Sequence, residues 1–204
     1  MSPRVSFEPI DVEIDCDDDE TVLDAAFRQG WNLVHGCREG QCTACKSFLL
    51  EGEVTHEPYS PDALSEAEEQ QGYTLLCRAL PDSDLTVELQ HFDADNLRLA
   101  HPIVDGRARV VAIEPLTEEI LRLRLEVVEP EGFTFAPGQY VDVHLPGTDD
   151  ERRSYSMANV PGDGTLDLVV RRYPGGRFSG LLDPETDGAL AVGDELGFTG
   201  PYGT

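Results

Sequence analysis

Four cysteines, in the spacing Cys37-x4-Cys42-x2-Cys45 and then 31 residues to Cys77, constrain this chain more than any other feature. Three thiols sit on one short loop, and only tertiary folding brings the fourth to them. The loop HGCREGQCTAC, from His35 to Cys45, is too rich in Gly and Cys for regular structure. Gly36, Gly40 and Ala44 leave room for the backbone to bend and let its N–H groups point at sulfur, which favours thiolate and added negative charge. Four thiolates in this spacing hold a [2Fe-2S] cluster. Structural zinc is the competing reading, but zinc ribbons supply two close pairs, whereas here Cys42 and Cys45 form one and Cys77 stands alone. A Rieske centre needs two histidine ligands, and His35 lies on the wrong side of Cys37; it reads as a strand-end residue. No cysteine follows residue 77, so the thiol chemistry belongs to the first half.

The chain has 204 residues, 40% apolar and 27% charged, which excludes disorder as the main state and allows one large or two small domains. With 40 acidic residues against 15 Lys and Arg the formal charge is −25, so nucleic acid and anionic membrane surfaces are excluded as partners. The field is denser in residues 1–98, which hold 22 acids and 6 bases, and a docking partner would offer a basic surface. No segment approaches the roughly 20 apolar residues of a membrane span. The N-terminus MSPRVSFEP lacks the apolar stretch of a secretory signal, so a cytoplasmic location is expected. In a reducing compartment the cysteines are ligands or free thiols rather than disulfides.

Hydrophobic periodicity divides the chain. Val5 and Phe7, then Ile10, Val12 and Ile14, predict a hairpin with a turn after Pro9. Acidic residues 17–20 precede TVLDAAFRQG, where Val22, Ala25, Ala26 and Gln29 follow helical spacing and Gly30 supplies the stop. SFLLEGEV leaves the thiol loop as a strand, LSEAEEQ is a second helix with Ser65 and Glu68 placed as a capping box, and LTVELQHF closes as a strand. Residues 1–95 thus read as an α+β domain, and 96–105, with Pro102, as a linker. From 106 to 204 the pattern is strand after strand: RVVAI, LRLRLEV, YVDVHL, RSYSMA and LDLVVRR, broken by PG, GD and GG turns. That predicts an all-β domain, a closed or nearly closed antiparallel barrel.

CREGQCTACKSFLLEGEV followed by YTLLCRA resembles the ferredoxin domain in the reductase component of bacterial multicomponent monooxygenases, the soluble methane, propane, alkene and phenol oxidising systems. The resemblance covers residues 1 to about 95 and implies a plant-type β-grasp fold. It also implies a [2Fe-2S] cluster with Cys37 and Cys42 on one iron and Cys45 and Cys77 on the other. Cys16 matches no ligand position.

In the second half, Arg153-Ser154-Tyr155-Ser156 lies in a predicted strand, and YPGGRFSGLL supplies a Gly-Gly turn entering a short helical stretch. A guanidinium holds a pyrophosphate bidentately, a Tyr ring covers a flat isoalloxazine, and glycine-rich backbone cradles phosphate. Together they resemble the flavin domain of ferredoxin reductases, a six-stranded Greek-key barrel. The resemblance implies that Arg153 contacts the FAD phosphates, Tyr155 stacks on the flavin, Ser156 faces its N5 edge, and Gly176, Arg177, Phe178 and Ser179 bind pyrophosphate. Ser154 belongs to the same motif, and Val170 and Arg171 would flank the cofactor. GFTGPYGT resembles the entry to a nicotinamide-binding domain, so a chain cut before that domain is expected, one that NADH alone reduces slowly. The implied function is electron transfer from NAD(P)H through FAD and the cluster to a di-iron hydroxylase. The rivals are the reductase of a ring-hydroxylating dioxygenase and a non-redox module held by zinc. The acids at 15–20, with Glu66, Glu68 and Glu69, are candidates for docking the hydroxylase.

Overall fold

The structure is a computed structural model, and it describes residues 2–17, 19–148 and 151–203. Asp18 of the acidic run and Thr204 of the final stretch therefore lie outside the described residues. Backbone contacts divide the chain into two compact units, Met1–Ala100 and His101–Thr204.

The first unit opens with the expected hairpin, β1 (Arg4–Glu8) and β2 (Val12–Asp15), with Ile10 in the turn. Val5, Phe7 and Ile14 are buried on one face while alternate residues face out, as a half-buried antiparallel pair requires. Helix α1 (Val22–Arg28) starts at Thr21, whose hydroxyl accepts the Asp24 N–H at 3.2 Å, and runs out at Gly30, whose φ is +78°. Its buried residues Val22, Leu23, Ala25, Ala26 and Phe27 cover the sheet. Strand β3 (Lys46–Glu51) leaves the thiol loop. Two short strands, β4 (Val54–His56) and β6 (Ala79–Pro81), pair with one another, and β5 (Tyr73–Leu75) leads to Cys77. Strand β7 (Leu85–Glu88) runs parallel to β1 in the centre, giving the order β2-β1-β7-β3-β5. Helix α2 (Glu66–Gln70) carries the expected capping box between Ser65 and Glu68.

The stretch read as a linker is structured at both ends. Trp31 and Arg98 form a bridge, with the guanidinium 3.4 Å from the indole centroid, and the Asn32 N–H donates to Leu97 O. Residues 97–99 are thus latched to the end of α1, and 104–105 already belong to the next strand. Cation–π and backbone contacts of this kind carry no periodic signature, so the sequence pattern does not show them.

The second unit is a nearly closed antiparallel barrel of six strands: β8 (Val104–Pro115), β9 (Ile120–Glu129), β10 (Tyr140–His144), β11 (Arg152–Ser156), β12 (Thr165–Arg171) and β13 (Glu195–Tyr202). Their order is β11-β10-β13-β8-β9-β12, and a Met157–Leu168 bridge brings the two edges together. Leu121, Leu123 and Leu125 fill the interior with Val141, Val143, Leu166, Leu168 and Phe198. Arg122 and Arg124 point outward; Arg124 holds Asp167 through two hydrogen bonds of 2.7 Å, and Arg122 pairs with Glu114. The residues GFTGPY form most of β13, paired on both sides by β10 and β8. Among the described residues no helix is long and apolar enough to cross a membrane.

Candidate functional site

The thiol loop runs between α1 and β3, and the fourth cysteine follows β5, which pairs with β3. That pairing places Leu75 opposite Lys46 and so brings Cys77 to Cys45, with sulfurs 3.3 Å apart. Cys45 and Cys77 are buried, Cys42 is half-buried and Cys37 is exposed. Backbone N–H groups do converge on sulfur: Glu39 and Gln41 donate to Cys37 at 3.4 and 3.3 Å, and the Cys37 N–H points at Cys42 at 3.5 Å. Burial pushes the Cys37 thiol up, but these donors outweigh it and hold the thiol below its ordinary value. In the close pair, hydrogen bonding between the sulfurs pulls Cys45 down and pushes Cys77 up.

The loop is packed closely enough that two of its positions must be glycine. Gly40 has φ +66°, and a Cβ there would meet the Tyr59 Cβ at 2.7 Å; a Cβ on Gly36 would lie 3.2 Å from the Cys42 sulfur. Three thiols on one loop, a fourth brought to them by β5, and backbone N–H groups aimed at sulfur fit the four-thiolate set of a [2Fe-2S] cluster. His35 is turned inward instead, its Nδ1 2.8 Å from Leu33 O and its ring edge-on to Phe27. Cys16 is fully buried beside Glu20 O, and burial raises its thiol to about 12.

In the barrel, β11 and the turn after β12 line one open pocket of about 460 Å³. Its walls are Arg153, Tyr155, Arg171, Tyr173, Gly176, Arg177, Phe178 and Ser179. Arg153 and Tyr155, two apart on β11, share a face; the Tyr155 ring rests on Phe178 at 5.4 Å between centroids. Burial raises the Tyr155 phenol, so it stays neutral. A side chain at Gly176 would run into Ser179 and the Tyr173 carbonyl, 3.0 Å away, so the tight turn on this wall of the pocket requires glycine. Ser179 begins the short 3-10 turn Ser179–Leu182, and its hydroxyl accepts the Tyr173 N–H at 3.2 Å. Arg171 and Arg177 are held by Glu119 (2.8 Å) and Glu151. Three guanidiniums and a bare glycine backbone around a half-buried aromatic ring fit a flavin with a pyrophosphate.

Strand alternation sets the side chains of three further residues of the sequence reading off this pocket wall. Ser154 faces away from the pocket, its hydroxyl donating to Asp142 at 2.6 Å. Val170 is 1% exposed and points into the barrel core, leaving only its backbone near the site. Ser156, exposed and paired with Tyr140, lies outside the pocket lining. Tyr173, which the sequence reading missed, is exposed on the rim with the Arg171 guanidinium 5.2 Å from its ring.

Residues 5–82 match the 2Fe-2S iron-sulfur cluster binding domain family, and residues 107–204 match the oxidoreductase FAD-binding domain family. The chain thus carries an iron–sulfur cluster binding domain followed by an FAD-binding domain. It binds a [2Fe-2S] cluster in its first unit and FAD in its second. Over 202 residues it is 52% identical to the reductase component of the propane 2-monooxygenase of Rhodococcus jostii (strain RHA1), covering 98% of this chain and 53% of that protein. It is 39% identical over 204 residues to the reductase component of the phenol 2-monooxygenase of Pseudomonas sp. (strain CF600), covering 100% of this chain and 56% of the relative. The crystal structure of the Amycolatopsis cytochrome P450 reductase superposes with a TM-score of 0.83 at 36% identity, over 100% of this chain and 58% of the other. This iron–sulfur flavoprotein thus spans little more than half the length of the relatives it matches.

Proposed function

We propose that this chain carries electrons from FAD through the [2Fe-2S] cluster to the oxygenase component of a bacterial monooxygenase, a di-iron hydroxylase, with NAD(P)H as the donor to the whole protein. Cys37, Cys42, Cys45 and Cys77 hold the cluster. Arg153, Arg171 and Arg177 bind the FAD phosphates with the Gly176 and Ser179 backbone, and Tyr155, backed by Phe178, covers the flavin. When bound, FAD would supply two-electron uptake with one-electron release, and the cluster one-electron transfer. The protein's own groups position and tune: guanidiniums neutralise phosphate, the Tyr155 ring, backed by Phe178, excludes water from one flavin face, and backbone N–H groups favour negative charge on sulfur. The observation that carries the reading is the gathering of two distant motifs, RSYS and YPGGRFS, onto one pocket in a chain that also holds the four-cysteine loop.

Part of the acidic run is engaged within the fold. Asp15, Asp17 and Glu20 all lie within 4 Å of the Arg28 guanidinium, at 3.4, 3.8 and 2.8 Å. Glu68 holds Lys46 at 2.7 Å as well as capping α2. The test of function is to reduce the cofactor-loaded chain anaerobically with dithionite, remove the excess, and mix it with the di-iron hydroxylase in a stopped-flow instrument. Recovery of visible absorption at a rate that rises and saturates with hydroxylase concentration is expected. Recovery no faster than in buffer would contradict the proposal.

A further inference from the structure

One half-buried polar chain in the first unit is used by neither site. His56, on β4, has a side chain only 8% exposed, with Nδ1 2.9 Å from Glu69 Oε1. Its Nε2 lies 2.8 Å from the buried Thr74 hydroxyl on β5. The other Glu69 oxygen accepts the Tyr59 hydroxyl at 3.0 Å, and the Tyr59 ring meets His56 edge-on at 5.4 Å between centroids. Two side chains, His56 and Glu69, therefore tie α2, β4 and β5 to the segment that follows β4.

That segment supports the thiol loop. The Tyr59 Cβ would be 2.7 Å, and the Arg78 Cγ 2.9 Å, from a Cβ on Gly40, so Tyr59 and the loop backbone touch with no side chain between them. The Ser60 N–H donates to Gly40 O at 2.9 Å, and the residues on either side of Gly40, Glu39 and Gln41, donate their N–H groups to the Cys37 sulfur at 3.4 and 3.3 Å. Contacts are thus continuous from Glu69 and His56 through Tyr59 and Gly40 to the N–H groups that face Cys37.

We propose that His56, Glu69 and Tyr59 are positioning residues for the cluster, holding Tyr59 against Gly40 so that the N–H groups of Glu39 and Gln41, on either side of it, stay aimed at the Cys37 sulfur and raise the reduction potential. The proposal rests on the reading of Cys37 as a ligand. An N–H···S hydrogen bond stabilises the more negative, reduced state, so loosening it makes reduction less favourable. Charge alone acts in the opposite sense: removing an acid from α2 favours reduction. Glu66, on the same helix, contacts only Gln70 among the described hydrogen bonds, at 3.3 Å, and so isolates the charge effect.

The experiment is a redox titration of the cofactor-loaded chain at fixed pH, followed by the low-temperature EPR signal of the reduced cluster, in the wild type and in Tyr59→Phe, Glu69→Ala and Glu66→Ala. Tyr59→Phe keeps the ring on Gly40 and changes no charge. The wild-type signal reports the cluster itself, so failure of the ligand assignment is read there, separately from the variants. About a threefold loss in the reduction equilibrium is expected for Tyr59→Phe and for Glu69→Ala, a fall of about 28 mV at 59 mV per tenfold, with Glu66→Ala unchanged or raised. A Tyr59→Phe potential equal to wild type, with Glu69→Ala matching Glu66→Ala, would overturn the proposal.

Discussion

Arg153, Ser154 and Tyr155 are consecutive, yet the period of a β-strand gives them opposite tasks. Arg153 and Tyr155 face the pocket, whereas Ser154 faces Asp142. Arg153→Ala removes a charge-assisted contact of about 1.5–3 kcal/mol and weakens FAD binding roughly 10- to 150-fold. Ser154→Ala leaves FAD affinity within about twofold and costs about 1 kcal/mol of stability. Flavin fluorescence titration of the reconstituted proteins measures both, and equal losses in the two variants would contradict the assignment. The same alternation explains why Val170, adjacent to Arg171, belongs to the core. At this scale the thiol site was legible because three of its four ligands are local in sequence. Tyr173 was not, since one aromatic residue in a loop has no pattern to reveal it, and the contact of Tyr59 with Gly40 exists only after folding.

Strands β8, β10 and β13 are joined on one face by a polar relay as well as by their ladders. His144 Nε2 lies 2.8 Å from the Thr199 hydroxyl, which donates to Asp105 at 2.6 Å. Since the hydroxyl proton goes to Asp105, the imidazole must donate from Nε2. Burial lowers the His144 pKa below its ordinary 6.5, and the Arg152 charge adds to this. The unfolded chain then takes up a proton near pH 6.5 that the folded chain refuses, so barrel stability is full above that value and falls as pH drops below it. Thermal release of flavin fluorescence between pH 7.5 and about 5 should show this fall, and His144→Gln, which still donates to Thr199, should flatten it. An identical slope in the variant would exclude His144 as the cause. Most elements were legible from periodicity and caps: the first hairpin, both helices, and the alternation of Leu121 to Arg124. Strand β13 was not, because Gly197, Gly200 and Pro201 read as turn residues while its inward positions, Leu196 and Phe198, are only two in a row. The three-residue strands β4 and β6 are too short for any period to register.

Across the whole molecule, two units with separate cores carry two different cofactor sites, and the few bases are unevenly placed against a formal charge of −25. Arg28 alone sits among three acids of the run that precedes α1. Guanidiniums, by contrast, gather at the barrel pocket, the place where an anionic cofactor needs them. The central claim is that one chain holds an iron–sulfur cluster and a flavin together. It is tested most directly by iron, acid-labile sulfide, zinc and FAD assays on the purified chain, with its absorption spectrum before and after dithionite. About two irons, two sulfides and one FAD per chain, with visible absorption that bleaches on reduction, are predicted. A colourless protein containing zinc, or iron and sulfide without flavin, would contradict it.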